Sequence, residues 1–571
     1  SQNRFNLAFK NFVRVFAQSA HPVVLLLDDL QWADEASLLL IQLLMTETQS
    51  NCLYIIGAYR DNETTPAHPL ILTLDEIGKT EGLVDYITLQ PLNSIEINRL
   101  ISTTLKVAVE TAEPLTELIL TKTNGNPFFV NEFLRSLYDR ELLVFDYQFN
   151  HWQWNLREIQ AQSITDNVVE LMSAKVQKLG ISTQQVLKLA ACIGNQFDLQ
   201  TLATVSAQSP QAAATELWPA ILAGLVLPLS DAYKLLESDT QELSESVTIE
   251  YKFAHDRIQQ AVYLLIPAVD KQAVHLRIGQ LLLQTTSRVT QEPKLFEIVN
   301  QLNLGRQLIE RQQERDELAR LNLRVGKKAK QAAAYQPAFN YFEVGLSLLE
   351  EDCWQQQYDL TLKLYVEAAE TKFLLGDLVQ MERSIEVVLQ TATTLLDKAK
   401  VYMLKIKAAV SQNQPVAAVN IALSTLEMMG IVFPTQPSLL DIDRSLAEVK
   451  STLAARGIKD AADLVDLPEM TDPEKLVAMN FLLEITYSCY VKSPFLFTLV
   501  VSKMVSLSVE YGNTPLSVNA YSLYGIVLCG LADIDGGYRV CKLALKLIEK
   551  FDAKELQPST FSISNCFIRH W

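Results

Sequence analysis

The sequence predicts an α/β portion followed by an all-α portion. Three observations carry this prediction. Two apolar runs, Val23–Leu27 and Cys52–Tyr59, alternate with helical patterns near the start of the chain. Beyond residue 267 nearly every segment has helical periodicity, and small-residue motifs recur there roughly every forty residues, a spacing typical of helical repeats. Between the two lies a helix-helix-helix-strand-strand order over residues 165–266.

Taken in order, FNLAFKNFVRVFAQ places Phe5, Phe9, Phe12, Val13 and Phe16 at helical spacing, an amphipathic helix leading into the first strand. Val23-Val24-Leu25-Leu26-Leu27 is too short to span a membrane and apolar on both alternating faces. It therefore reads as a strand buried on both sides of a parallel sheet. The run stops at Asp28-Asp29. Acids at the carboxyl end of such a strand sit where open α/β sheets bind ligands, and they can hold Mg²⁺ and orient water. This is the pattern of a Walker B strand, although a core strand ending in a solvated Asp-Asp turn fits the same residues. Asp34 suits the N-cap of a largely buried helix over 35–48. A second buried strand ends at Arg60, followed by the loop Asp61-Asn62-Glu63. A helix over 70–78 and a strand near 84–90 complete a β-α-β-α-β run with a parallel sheet.

Residues 93–140 turn helical. Ser94 or Asn93 caps the first helix, and Gly125-Asn126-Pro127 ends one helix and starts the next. Residues 143–156 alternate aromatic and polar side chains, as in a β-hairpin. The following module ends in strands Leu225–Leu229 and Val247–Phe253, and its order is that of a winged helix. Its expected recognition helix, 211–224, carries no Lys or Arg, so a structural role fits better than DNA reading. The later motifs around Ala332–Tyr341, Ala368–Asp377, Ala408–Ala422 and Tyr521–Tyr538 suggest a degenerate tetratricopeptide-like solenoid. A non-repetitive helical domain is the alternative. Pro434, Pro437 and Pro468 punctuate a less regular insert.

The 571 residues are 49% hydrophobic and 20% charged, with a formal charge of −17. No basic block is present, which argues against a nucleic-acid partner. The seven scattered cysteines contain no CxxC, so neither a disulfide framework nor a zinc site is indicated and a cytoplasmic setting is expected. No signal peptide or membrane span is expected, since Pro494–Val509 is short for a span and contains Lys503. His21, His68, His151, His275 and His570 show no metal-ligand spacing. The chain opens on Ser1 and ends on Trp571, and it is expected to be an internal stretch of a longer polypeptide.

The wording LLLDDLQWAD, IIGAYRDNE, GNPFFV and FAHDRIQQAVY resembles the signal-transducing ATPases with numerous domains (STAND), a branch of the AAA+-type P-loop ATPases. Within them it is most similar to the ATPase and helical-repeat region of bacterial multidomain serine/threonine–histidine kinases. The resemblance is strong over residues 1–270 and looser beyond. It implies a partial P-loop sheet over 1–92, a helical lid with a hairpin over 93–160, a winged helix over 161–268, repeats over 269–430, an irregular insert over 431–475 and further repeats over 476–571. It also implies ATP/ADP with Mg²⁺ as cofactor. Asp28 corresponds to the Mg²⁺-organising carboxylate and Asp29 to the catalytic acid, where an aspartate instead of the usual glutamate implies slow turnover. Arg60 corresponds to the γ-phosphate sensor, Pro127 to the turn near the adenine, and His255 to the histidine that touches the ADP β-phosphate. Each position has an ordinary structural explanation too: a surface ion pair for Arg60, a helix-start proline, a satisfied histidine beside Asp256.

The departure from the family is the missing GxxxxGK[ST], which is absent from the whole sequence. Phosphate capture needs such a glycine-rich loop and its lysine at a helix N-terminus. In this family it precedes the Walker B strand, so a complete site requires a segment upstream of Ser1, and this chain alone is expected to bind ATP weakly or not at all and to be inactive. The expected function is a nucleotide-dependent switch and scaffold of a sensor kinase, with phosphotransfer in kinase domains outside the chain and protein partners reached through the repeats. The alternatives are an ATPase-type transcription regulator with helical repeats and a nucleotide-free scaffold.

Overall fold

The computed structural model describes residues 2–46, 52–61, 64, 68–79, 84–161, 168–230, 249–285, 288–458 and 460–568. The chain divides into two compact units, residues 1–318 and 319–571. An α/β start is followed by a long all-helical stretch, in agreement with the sequence.

The first unit opens with helix α1 (Gln2–Phe16), strand β1 (Val23–Leu27), α2 (Glu35–Met45), β2 (Leu53–Gly57) and α3 (Pro69–Lys79). β1 and β2 pair in parallel, with Val24 opposite Tyr54 and Leu26 opposite Ile56. Asp34 caps α2 by accepting the Ser37 N–H at 2.7 Å. Three expectations need correction. Residues 84–93 form no strand, and Ile87 and Leu89 stand in solvent. An alternating sequence needs a neighbour to hydrogen-bond with, and none is present among the described residues. β1 and β2 are not buried on both sides either: Leu26 is 71% exposed and Tyr54 64%. Nothing among the described residues covers that face. Finally, α2 buries Leu38 and Leu44 but exposes Leu39, so it is only partly enclosed. The expected loop residues Asn62 and Glu63 lie outside the described residues.

Helices α4 (Ser94–Leu105), α5 (Val109–Thr123) and α6 (Pro127–Asp139) follow. Asn93 and Glu96 form a reciprocal capping box at α4. Between α5 and α6 the backbone is left-handed at Asn124 and Gly125. A Cβ on Gly125 would lie 2.2 Å from the Leu92 carbonyl oxygen, so only glycine fits this turn. Asn126 caps α6 and Pro127 occupies its first turn. Strands β3 (Leu143–Asp146) and β4 (His151–Trp154) form the expected antiparallel hairpin.

Then come α7 (Leu156–Ala161), α8 (Val168–Gln177), α9 (Ile181–Ile193), β5 (Gln196–Asp198), α10 (Leu199–Ser206), α11 (Pro210–Leu222), β6 (Val226–Pro228), β7 (Glu250–Phe253) and α12 (Asp256–Leu264). β5, β7 and β6 make an antiparallel sheet in that order. Its Tyr251 and Phe253 both pack on Phe197, and all three rings are buried. β5 was not expected from the sequence. The expected strand residues Val247 and Thr248 lie outside the described residues. Helices α13 (Ala268–Thr285) and α14 (Arg288–Leu304) form a tight hairpin in which a Cβ on Gly279 would press on Leu302.

Helix α15 (Gln312–Gln331) leads into the second unit, which stacks α16 (Tyr335–Ser347), the short α17 (Cys353–Gln356), α18 (Tyr358–Leu374), α19 (Leu378–Thr391), α20 (Leu395–Ser411) and α21 (Pro415–Met428). Small residues set their approach. Gly326 faces the Phe342 ring so closely that a Cβ would lie 2.4 Å from it, and Ala338, Ala368, Ala418 and Ala422 are buried. The segment 431–475 is less irregular than expected, because it contains α22 (Leu439–Ala455), which packs on α24 and buries Ile442 and Val449. Helices α23 (Pro473–Lys492), α24 (Pro494–Tyr511), α25 (Pro515–Gly530), α26 (Ile534–Lys550) and α27 (Gln557–Ile563) complete the unit. Among the described residues α24 alone is long and apolar enough to cross a membrane, and it is mostly buried within the fold.

Candidate functional site

The carboxyl ends of β1 and β2 are locked together by backbone. The Ala58 N–H donates to the Leu27 carbonyl (2.8 Å) and the Leu30 N–H to the Ala58 carbonyl (2.9 Å). Gly57 leaves room for Leu30, whose Cδ1 would lie 2.6 Å from an added Cβ. The turn this creates forces Asp29 into the left-handed region (φ 55°, ψ 40°), which aspartate tolerates better than most residues. Its N–H donates to Asp28 Oδ1 at 3.0 Å. Buried Gln31 ties both strand ends: its Nε2 donates to Asp29 Oδ1 (2.8 Å), and its Oε1 accepts the Arg60 N–H (3.2 Å).

The opposite wall comes from the three-helix, three-strand module. Leaving β7, the chain presents His255 as the N-cap residue of α12, followed by Asp256. The Arg60 guanidinium is in ion-pair contact with Asp256 and lies 3.7 Å from Asp29 Oδ1. The His255 ring stacks on Phe128, with centroids 4.1 Å apart and planes 18° apart. Asp256 Oδ1 lies 2.5 Å from His255 Nδ1. Nδ1 also accepts the Arg257 N–H at 3.1 Å, the contact by which His255 caps α12. Asp256 Oδ1 shares that N–H at 2.8 Å.

These groups surround a cavity of about 290 Å³ lined by Asp28, Asp29, Ala58, Tyr59, Arg60, Asn195, His255 and Asp256. Burial drives the His255 pKa below its usual 6.5, and the nearby Arg60 and Arg257 push it the same way against Asp256. The imidazole is therefore neutral at pH 7. Burial pushes the Asp256 carboxyl up, but the Arg60 hydrogen bond together with His255 and the Arg257 N–H outweighs it and holds the group below 3.8.

Four of the five expected residues, Asp28, Asp29, Arg60 and His255, meet at this cavity. Pro127 does not line it. It starts α6, whose next residue, Phe128, reaches His255. Arg60 does pair with an acid, and Asp256 reaches it from a distant segment of the chain. Sequence reasoning missed Gln31, Tyr59, Asn195 and Asp256 as site residues. Asp256 was within reach, since it adjoins His255 in FAHDR; Asn195 had only a Gly-Asn turn signal.

Chemically, three carboxyl groups face one guanidinium while His255 is neutral, so acidic groups outnumber the cation in the lining. Hard oxygen donors at a strand end fit Mg²⁺, which typically takes one or two carboxylates and completes its shell with water and phosphate. Among the described residues no group of three or more His, Cys, Asp and Glu forms a ready metal cage. The lining does not by itself fit a bare polyphosphate, which it would repel.

The family described as AAA ATPase domain matches residues 1–56. Hybrid signal transduction histidine kinase G of Dictyostelium discoideum is 27% identical over 683 aligned positions, covering 98% of this chain and 20% of that protein. Peroxide stress-activated histidine kinase mak3 of Schizosaccharomyces pombe is 22% identical over 206 positions, covering 35% of this chain and 8% of that protein. The chain thus spans about one fifth of the length of the first of these relatives and less of the second. Among solved structures, a signal transduction ATPase with numerous domains bearing a tetratricopeptide repeat sensor, from Pyrococcus horikoshii, aligns with a TM-score of 0.37 at 13% identity, covering 95% of this chain and 70% of that one. The family match agrees with the resemblance read from the sequence at one point, an AAA ATPase segment at the head of the chain.

Proposed function

We propose that this chain, an AAA ATPase segment of the STAND type joined to helical repeats, is the nucleotide-responsive switch and scaffold region of a larger signalling kinase. The observation that carries the reading is the Arg60–Asp256 ion pair. A cation beside the Asp28-Asp29 strand end is held by a carboxylate from the helix that also carries His255. A ligand phosphate is a charge-assisted acceptor for arginine just as a carboxylate is, so its arrival competes with Asp256 for Arg60 and frees α12. Closed and open arrangements then differ by one exchange of partner.

In this reading Asp28 holds Mg²⁺, which supplies charge neutralisation for the bound phosphates, and Asp29 orients water. His255 lines the ligand side of the cavity, and Phe128 fixes its ring. Pro127 supports that arrangement by setting the first turn of α6. The exposed face of β1 and β2 also supports the reading, because a parallel sheet normally has both faces covered. Further strands and a glycine-rich phosphate loop in the same polypeptide would complete both the sheet and the site. We assign residues 1–92 to the partial P-loop domain, 93–160 to the lid, 161–268 to a structural winged helix, and 269–430 and 476–571 to repeats separated by the 431–475 insert. Phosphotransfer belongs to domains outside the chain, protein partners dock on the repeats, and seven free cysteines suit a cytoplasmic setting.

The test is calorimetric binding of Mg·ATP and Mg·ADP to the gene-length polypeptide. Asp28→Ala is expected to abolish the Mg²⁺ dependence. Asp256→Asn is expected to strengthen ATP binding several-fold by releasing Arg60. Absence of any Mg²⁺-dependent binding in the parent polypeptide would leave a nucleotide-free scaffold as the function.

A further inference from the structure

The cavity wall contributed by residues 192–198 is held at both ends by a single helix. At one end, buried Gln301 of α14 donates from Nε2 to the Cys192 carbonyl at 2.8 Å. That carbonyl belongs to the last turn of α9, which has no helical partner for it. At the other end, Lys294 of α14 donates to Asp198 Oδ2 (3.2 Å) and Thr201 Oγ1 (2.7 Å). Lys294 and Gln301 are seven residues apart, two helical turns, so both lie on one face of α14. Midway between these anchors sits Asn195, which lines the cavity and whose carbonyl accepts the Phe253 N–H at 2.9 Å, just ahead of His255.

The Gln301 anchor is itself fixed. Its Oε1 lies 2.7 Å from His275 Nδ1, and His275 Nε2 lies 3.0 Å from the Tyr263 hydroxyl at the end of α12. Because the Gln301 amide nitrogen is committed to Cys192, Oε1 is the atom that faces His275, and Nδ1 donates to it. Gln259 of α12 adds a parallel bond to the Ala191 carbonyl at 3.0 Å. The Lys294 anchor also faces Glu297, whose carboxyl is pushed up by burial and by Asp198 against the pull of Lys294.

We infer that Asn195 is a ligand-reading residue of the cavity and that α14 positions it through Gln301 and Lys294. This rests on the nucleotide reading above. Among three carboxylates, one guanidinium and a neutral imidazole, the Asn195 amide is a neutral group offering donors as well as an acceptor, suited to a phosphate or ribose oxygen of a nucleotide. The inference adds a class of residue with no contact to the ligand, on a helix outside the cavity, that tunes binding by placing its wall.

The test uses the gene-length polypeptide with Mg·ADP and Mg·ATP as probes, comparing Asn195→Ala, Gln301→Leu, Lys294→Met and the double variant Asn195→Ala/Gln301→Leu. Asn195→Ala is expected to weaken binding about 3- to 10-fold, the worth of one hydrogen bond. Gln301→Leu is expected to weaken it by a similar or smaller factor, and the double variant by no more than Asn195→Ala alone, since Gln301 acts through Asn195. Amide exchange at residues 193–197 should speed up in Gln301→Leu and Lys294→Met, a readout that needs no nucleotide. Unchanged binding in Asn195→Ala while Arg60→Ala loses it overturns this inference and leaves the nucleotide reading standing. Multiplying effects in the double variant, or unchanged exchange at 193–197, overturn the positioning role. If the wild-type polypeptide binds no nucleotide, the functional reading fails, and with it the ligand role of Asn195, while the exchange result still decides what α14 does.

Discussion

Two strongly apolar stretches of the chain, Val23–Leu27 and Pro494–Tyr511, meet opposite conditions in the fold. In α24, Leu496, Phe497, Val500, Val501, Met504 and Val505 are all buried, enclosed by α22, α23 and α25. In β1, Val24 and Leu26 face solvent, opposite Tyr54 and Ile56, which do the same. The helix that most resembles a membrane span is an ordinary core helix, satisfied within its unit. The strand that reads as the most ordinary core is left half-covered, and it carries the acids of the cavity. The contrast separates a self-sufficient scaffold from a site whose packing calls for further partners.

The largest expected effect tests the enclosed side. Phe481→Ala, at a fully buried position of α23, should destabilise residues 319–571 by about 3–5 kcal/mol in urea unfolding, the usual cost of emptying an aromatic core site. A cost below about 1 kcal/mol would show that this core is looser than its burial indicates. The next effect tests the open side. Leu26→Ser should cost under about 1 kcal/mol in the present chain, because the side chain is largely in water already. In the gene-length polypeptide it should cost about 2–3 kcal/mol if further elements cover the sheet, since a buried leucine is worth that much. Equal small costs in both would mean the face stays open.

The sequence was most legible where a residue type and its local position suffice. Asp28, Asp29 and Arg60 close strands, Asn126-Pro127 starts a helix, and Asp34 and Asn93 cap helices by side-chain chemistry visible in a few residues. It was least legible where the outcome depends on a distant partner. The alternation at 84–90 suggested a strand, but that depends on a neighbour. The apolar β1 suggested two buried faces, but that depends on layers not set by its own residues. The ion pair of Arg60 with Asp256 spans 196 positions, so no local pattern could announce it. β5 is only three residues long and Asn195 precedes it in a turn, too short a signal for periodicity to register.

A smaller effect concerns the link between the two walls of the cavity. Removing the cation in Arg60→Ala leaves Asp256 without its main stabilising partner. Because the pair is only partly buried, the expected loss of stability is on the order of 1 kcal/mol or less. The same variant should raise the Asp256 pKa, measurable by NMR titration of the carboxyl carbon, since burial would then act on it without the opposing hydrogen bond. An unmoved titration would show that the pair is not formed in solution.

The smallest effect is the pH dependence of that link, and its sign follows from the two shifts. Asp256 has a folded pKa below 3.8, so its contribution is fully present above that value and is lost as pH falls through the lower folded pKa. His255 is also shifted down, from 6.5, because burial and the nearby arginines oppose its charge. The unfolded chain therefore binds this proton first, and stability declines as pH drops from about 6.5 toward the folded pKa of His255. Thermal unfolding of the first unit should thus soften in two steps on acidification, one beginning near pH 6.5 and one below 3.8. His255→Gln, which keeps a neutral polar group at the α12 cap, should flatten the upper step and leave the lower one in place. If the upper step survives that substitution, another titrating group holds the α12 wall, and the neutral His255 ring stacked on Phe128 is not what closes the cavity on this side.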